Sequence, residues 1–128
     1  MESAPFLLEE NEMKEFNGKL LYKDKEYKLV FNLNVMEAIQ EEYGSLDEWG
    51  KLTDGSEKGE PDAKAVIFGF REMLNEGIDI DNEENGLSEK PFTLKQVGRL
   101  ITEIGLANAT ATLNNTVVES TKSEEKNE

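Results

Sequence analysis

Asp81, Glu83, Asn85, Gly86, Leu87 and Glu89 stand at positions 1, 3, 5, 6, 7 and 9 of a calcium-binding loop, with glycine in the required sixth place. Calcium takes about six to eight hard oxygens, and such a loop supplies most of them. The twelfth position, where a bidentate glutamate is needed, is Phe92, and Pro91 beside it spoils entry into an exit helix. Gly77 is expected to have stopped any helix leading in. The segment therefore reads as a solvated acidic loop with no metal. Other chemistry is missing from the residue inventory. The chain has no histidine and no cysteine, so the commonest general base, metal ligands and thiolate nucleophile are all lacking. None of its six serines lies in a Gly-x-Ser-x-Gly elbow, and no glycine-rich phosphate cradle occurs. A glycosidase-like carboxylate pair needs a cleft that a domain this small has trouble enclosing. No catalytic or cofactor-binding residue is assigned, and a non-enzymatic protein is expected.

The residues left to consider are those that bind partners. Trp49, the one tryptophan, shares a helical face with Leu46 and either Leu52 or Thr53, as a core residue would. Its alternative role is a partner hot spot, where tryptophan is enriched. Phe68 faces away from the apolar stripe of its helix and is a candidate interaction residue, although helices on two sides would bury both faces. Gly98 and Gly105, seven apart, could let another backbone approach closely; alternatively Gly105 simply ends its helix. Arg71 and Arg99, the only arginines, sit among carboxylates on helices, where an ion pair within the chain competes with a partner contact for Arg99.

The elements that position these residues are legible. Tyr27, Leu29 and Phe31 alternate with Lys28, Val30 and Asn32, the period of a half-buried strand. Leu20 and Tyr22 precede them across a polar joint, Lys23-Asp24-Lys25-Glu26, so a hairpin is expected. Asn34, with Glu37 three residues on, reads as a capped helix start, and Gly44 as its stop. Ser45-Leu46-Asp47-Glu48 opens a second helix. Residues 53–60 form a loop by composition, and Pro61-Asp62 suits the entry of a third helix. Its stripe is Val66, Ile67, Phe70, Met73 and Leu74, and Gly77 is expected to end it, leaving 78–90 as a loop. Thr93-Leu94-Lys95-Gln96 is a capping box for a last helix striped by Leu94, Val97, Leu100 or Ile101, and Ile104. If Gly105 ends that helix, residues 107–113 form a separate, weaker piece.

Composition sets the bounds. At 128 residues the chain holds one domain with tails. The predicted organisation is an acidic lead-in over 1–17, with Phe6-Leu7-Leu8 as its apolar cluster, a domain over 18–112, and a disordered acidic C-terminal tail over 113–128. The fold class is α+β: a small N-terminal antiparallel hairpin or sheet packed by three to four helices. Twenty-eight acids against fourteen bases give a net charge of −14, which repels phosphate backbones and argues against nucleic-acid binding. The start lacks the basic and apolar regions of a signal peptide, and no apolar run is long enough for a membrane span; the cytoplasm is expected. A hairpin leaves an edge that invites pairing between chains, so self-association is expected.

The order hairpin, "FNLNVMEAIQEEYGSLDEW", acidic loop, "AVIFGFREMLNEG", then "FTLKQVGRLITEIG" resembles the tail assembly chaperones of long-tailed bacteriophages and prophages. In that family a strand runs into a helix with an acidic end, then Gly-Ser-Leu and a short helix. A helix with a small-residue stop follows, and last comes a Thr-x-x-x-Val-Gly-x-Leu-Ile helix. The likeness covers roughly residues 18–112. It implies a protein that coats the long tape-measure protein, keeps it soluble and recruits tail-tube subunits around it. Such a chaperone acts in the cytoplasm of the bacterial host and is absent from the finished virion. It is commonly made also in a form extended by ribosomal frameshift, and a flexible tail after Asn114 would suit the join. Two other readings stay open: an acidic DNA mimic that inhibits a host restriction or DNA-binding protein, and a structural tail component.

Overall fold

In a computed structural model, residues 17–126 are described, and side chains over 18–120. The expected acidic lead-in, with its Phe6-Leu7-Leu8 cluster, lies outside them apart from its last residue, as do residues 127 and 128. Strands β1 (Asn17–Tyr22) and β2 (Lys25–Val30) form an antiparallel hairpin, followed by helices α1 (Leu33–Tyr43), α2 (Leu46–Thr53), α3 (Ala63–Asn85), α4 (Leu94–Ile104) and α5 (Leu106–Lys126). The architecture is the expected α+β, with five helices following the hairpin among the described residues.

The hairpin turns on two residues, Lys23 and Asp24, both at positive φ (52° and 65°). This is the twist that two-residue hairpin turns require, taken here without glycine or asparagine. Gly18, Leu20, Tyr22 and their partners Leu29, Tyr27 and Lys25 share one face. On that face Leu20 and Leu29 are buried.

Helices α1 to α4 each begin with a side chain that accepts one of their free N–H groups. Asn32 caps α1 by accepting from the Val35 N–H at 3.2 Å. The expected cap, Asn34, lies instead within the first turn. Ser45 caps α2, Asp62 caps α3, and Thr93 with Gln96 forms a reciprocal capping box on α4. Gly44 stops α1 as anticipated, at φ 93°.

Gly77 does not stop α3. The helix continues for two further turns to Asn85 and ends at Gly86 in the left-handed region (φ 65°). A Cβ at Gly77 would lie 2.5 Å from the Lys28 carbonyl oxygen, so glycine is there to let β2 cross the helix. The loop expected over 78–90 is accordingly short.

Helix α3 is the centre of the molecule and touches β2, α1, α2, α4 and α5. Its Ala65, Val66, Phe70, Met73 and Leu74 are fully buried. Around them pack Leu29 and Phe31 from the hairpin strand and its exit, Val35 and Ile39 from α1, Trp49 from α2, and Val97 and Leu100 from α4. Leu94, expected in the stripe of α4, is half exposed, because it sits at the first helical position beyond the reach of α3.

The C-terminal segment corrects the expected tail. Residues 106–126 are one helix, closed onto the core by Ala109, Leu113 and Thr116, all buried. Thr116 fits against Gly18, where a Cβ would come within 2.7 Å of its Oγ1. Its hydroxyl is satisfied by donating to the Thr112 carbonyl. A buried stripe of so few residues, one of them polar, is hard to see among Asn, Thr and Ala.

Between α3 and α4 the chain runs back along α3 as an extended strap. The Asn82 side chain donates to the Glu89 carbonyl and accepts its N–H, both at 3.0 Å. Asn75 does the same for Phe92, at 3.0 and 2.8 Å. Seven residues of helix rise about 10.5 Å and three extended residues span about 10 Å, so the two asparagines match the strap's repeat. Pro91, between the anchors, holds the backbone extended.

Candidate interaction surface

The five residues singled out as partner-binding candidates do not converge. Trp49 is 1% exposed, lies across Gly69 of α3, and donates its indole N–H to the Ala65 carbonyl at 3.0 Å. It is a core residue and presents no surface. The ring fits because Ala65 and Gly69, one turn apart, leave a shelf; a Cβ at Gly69 would overlap the indole.

Phe68 is half-buried rather than outward. Its ring stands edge-on to Tyr43 at 5.5 Å, and Arg71 lies over it at 5.9 Å. The Arg71 guanidinium also pairs with Glu72 at 2.8 Å, while its Nε is buried with no hydrogen-bond partner among the described residues. Burial pushes the Tyr43 phenol above its ordinary pKa, with the nearby Glu42 and Asp62 adding to the shift. Tyr43 of α1 and Arg71 of α3 thus half-cover Phe68.

Gly98 is half-buried and would meet only Ile67, at an ordinary 3.7 Å, so it marks no close approach of backbones. Gly105 ends α4 at φ 97°, the alternative reading of that residue. Arg99 is exposed on α4 and has no ion pair among the described residues.

The Asp81–Glu89 segment is no calcium loop. Asp81, Glu83 and Asn85 are helical, so their side chains radiate instead of converging. Asp81 pairs with Lys28 at 3.0 Å, and Glu89 with Lys25. The bond from Glu89 chiefly raises the Lys25 pKa. Among the described residues no group of three acidic side chains could hold a metal ion.

Two surface features remain. A shallow groove of about 260 Å³ runs between the start of α1, α3 and the strap, walled by Glu72, Glu76, Asp79 and Glu89 over a floor of Val35 and Ile78. Its acids are partly occupied: Asn32 and Asn34 both donate to Glu76 Oε2, at 2.8 and 3.1 Å.

The second feature is the hairpin. Residues 17–30 carry Lys19, Lys23, Lys25 and Lys28 against Asp24 and Glu26, a net +2 in a chain of −14. Leu21 on the hairpin at 69%, Leu33 at the start of α1 at 72% and Val118 on α5 at 54% are the most exposed large apolar side chains among the described residues. Sequence reasoning passed over Leu21, although its place on the solvent side of an alternating strand was the available signal. Among the described residues no helix is long and apolar enough to cross a membrane. No family model, curated protein or solved structure matches the chain.

Proposed function

We propose that this chain is a non-enzymatic binding protein that acts as a tail assembly chaperone for a long-tailed phage or prophage. In that role it holds the tape-measure protein in soluble form in the host cytoplasm and recruits tail-tube subunits to it. The observation that carries the reading is the order of segments. The hairpin runs into a helix with an acidic end, "FNLNVMEAIQEEYGSLDEW", and its Gly-Ser-Leu junction falls at the stop of α1 and the cap of α2. The capped Thr-x-x-x-Val-Gly-x-Leu-Ile segment is helix α4, whose Val97, Leu100 and Ile101 are buried in the core.

The surface suits the task physically. A helix-rich client with apolar faces precipitates unless those faces are covered. Exposed Leu33 and Val118 on an acidic body offer apolar contact while the net charge keeps the complex dispersed. The same charge disfavours nucleic acid as a partner.

The test is to tag the chain in the cell that makes it and identify by mass spectrometry what co-purifies. A very long, helix-rich protein together with tube subunits supports the reading, as does a C-terminally extended form of the chain. Recovery of a nuclease, methylase or repressor replaces it with inhibition by DNA mimicry. Abundance in purified virions replaces it with a structural tail component.

A further inference from the structure

Among the described residues the hairpin has one covered edge and one open edge. With a two-residue turn, Tyr22 and Lys25 close the ladder as a hydrogen-bonded pair, and such pairs alternate along an antiparallel ribbon. Leu20–Tyr27 and Gly18–Leu29 are then bonded inward, while the N–H and C=O groups of Lys19 and Leu21 point away from β2. The same parity turns the Lys28 carbonyl away from β1, and that oxygen does face Gly77 of α3. The edge of β2 is thus covered by α3. Among the described residues no hydrogen bond reaches the outward backbone groups of Lys19 and Leu21.

We propose that the open edge of β1 is a self-association surface, on which a second copy of this chain pairs its own β1 antiparallel to give a continuous four-stranded sheet across a two-fold axis. Outward-bonding residues must meet outward-bonding residues, so Lys19 of one copy lies opposite Leu21 of the other, with the axis at Leu20. This register is self-complementary, as an isologous contact requires. It covers both copies of Leu21.

Charge favours this occupant. Within one chain Lys19 lies directly across from Lys28, a like-charge pair that opposes the hairpin. Glu26, across from Leu21, has no ion pair among the described residues, and neither has Lys19. In the paired sheet the row on the solvent face reads Lys28, Lys19, then Leu21 and Glu26 of the second copy. Lys19 reaches over the leucine to that glutamate, twice by symmetry. The hairpin is also the stretch with net positive charge, so two acidic copies approach there with least repulsion. The inference stands on the hairpin and not on the chaperone reading.

The experiment is sedimentation of the full chain at about 100 µM, where an interface at the small end of the usual range should be populated. The expected species has twice the 14.4 kDa chain mass. Leu21→Pro removes one outward N–H and should yield a monomer whose circular dichroism is unchanged. Lys19→Glu should weaken association about tenfold, and Lys19→Glu with Glu26→Lys should restore it. A wild-type monomer at this concentration overturns the proposal. So does a dimer that Leu21→Pro leaves intact. A monomer in which the Leu21 amide resists exchange until residues 1–16 are removed assigns the edge to the chain's own lead-in, and also overturns it.

Discussion

The strap between α3 and α4 offers a sharp test, because two asparagines carry it. Asn75 makes two hydrogen bonds to the backbone of Phe92, whose ring in turn stands edge-on to Tyr27 at 5.4 Å. Asn75→Ala removes both bonds at a part-buried site. At about 1 kcal/mol net each, the loss is about 2 kcal/mol. For a domain of this size that lowers the melting temperature by roughly 10 °C. Asn82 is more exposed, water replaces its bonds, and Asn82→Ala should cost about half as much. Asn75→Asp is the diagnostic change. Its carboxylate still accepts the Phe92 N–H but turns a second acceptor toward the Phe92 carbonyl. The cost at pH 7 should therefore at least equal that of alanine. Because the folded state disfavours the charged form, that aspartate's folded pKa is raised. The deficit should then shrink as pH falls through the folded value and the acid regains a donor. Urea denaturation followed by Trp49 fluorescence reads all three variants. An Asn75→Ala protein within about 0.5 kcal/mol of wild type, the range of ordinary surface changes, would refute the reasoning.

Four further outcomes are expected. Gly77→Ala should destabilise by about 1–3 kcal/mol in chemical denaturation despite alanine's better helix propensity, because the added methyl meets the backbone of β2 rather than a movable side chain. Lys23→Asn with Asp24→Gly should stabilise the protein by about 1 kcal/mol, read as a rise in melting temperature, since both positions hold positive φ. Asp62→Ala should cost about 1 kcal/mol at pH 7 through loss of the α3 cap. The bond from Lys58, followed by that from the Ala65 N–H, lowers the Asp62 pKa, so its stabilisation is full above the ordinary carboxylate range and fades as pH falls through the folded value. A difference between variant and wild type that grows on acidification would contradict this. Millimolar calcium should leave the melting temperature within about a degree, since a helical Asp81, Glu83 and Asn85 cannot wrap an ion; a clear rise would overturn that assignment.

Where the local chemistry was complete in the sequence, the elements followed it. Ser45 and Thr93 each stand three residues before the backbone N–H that they accept, and both cap as read. Asn32 and Asn34 are equally good caps on paper, and the choice fell to Asn32 because Asn34 in the first turn can share Glu76 with it. Of the candidate site, the core role of Trp49 and the stop at Gly105 were legible, each as one of two readings. Trp49 and Phe68 are aromatic in a way that suits a hot spot or a core equally, and only their neighbours distinguish the two.

The sequence by itself determined the α+β class, the hairpin, the caps of α2, α3 and α4, and the charge. These depend on residues within about four positions of one another, or on a sum over all of them. Only the tertiary structure decided what Gly77 is for, that Ala109, Leu113 and Thr116 of α5 close onto the core, and which strand edge stays open among the described residues. Those outcomes turn on contacts between residues far apart in the chain: Lys28 with Gly77, Gly18 with Thr116, Trp49 with Gly69. A glycine that ends a helix and a glycine that admits a neighbour are the same letter, and the difference lies in what arrives from elsewhere in the chain.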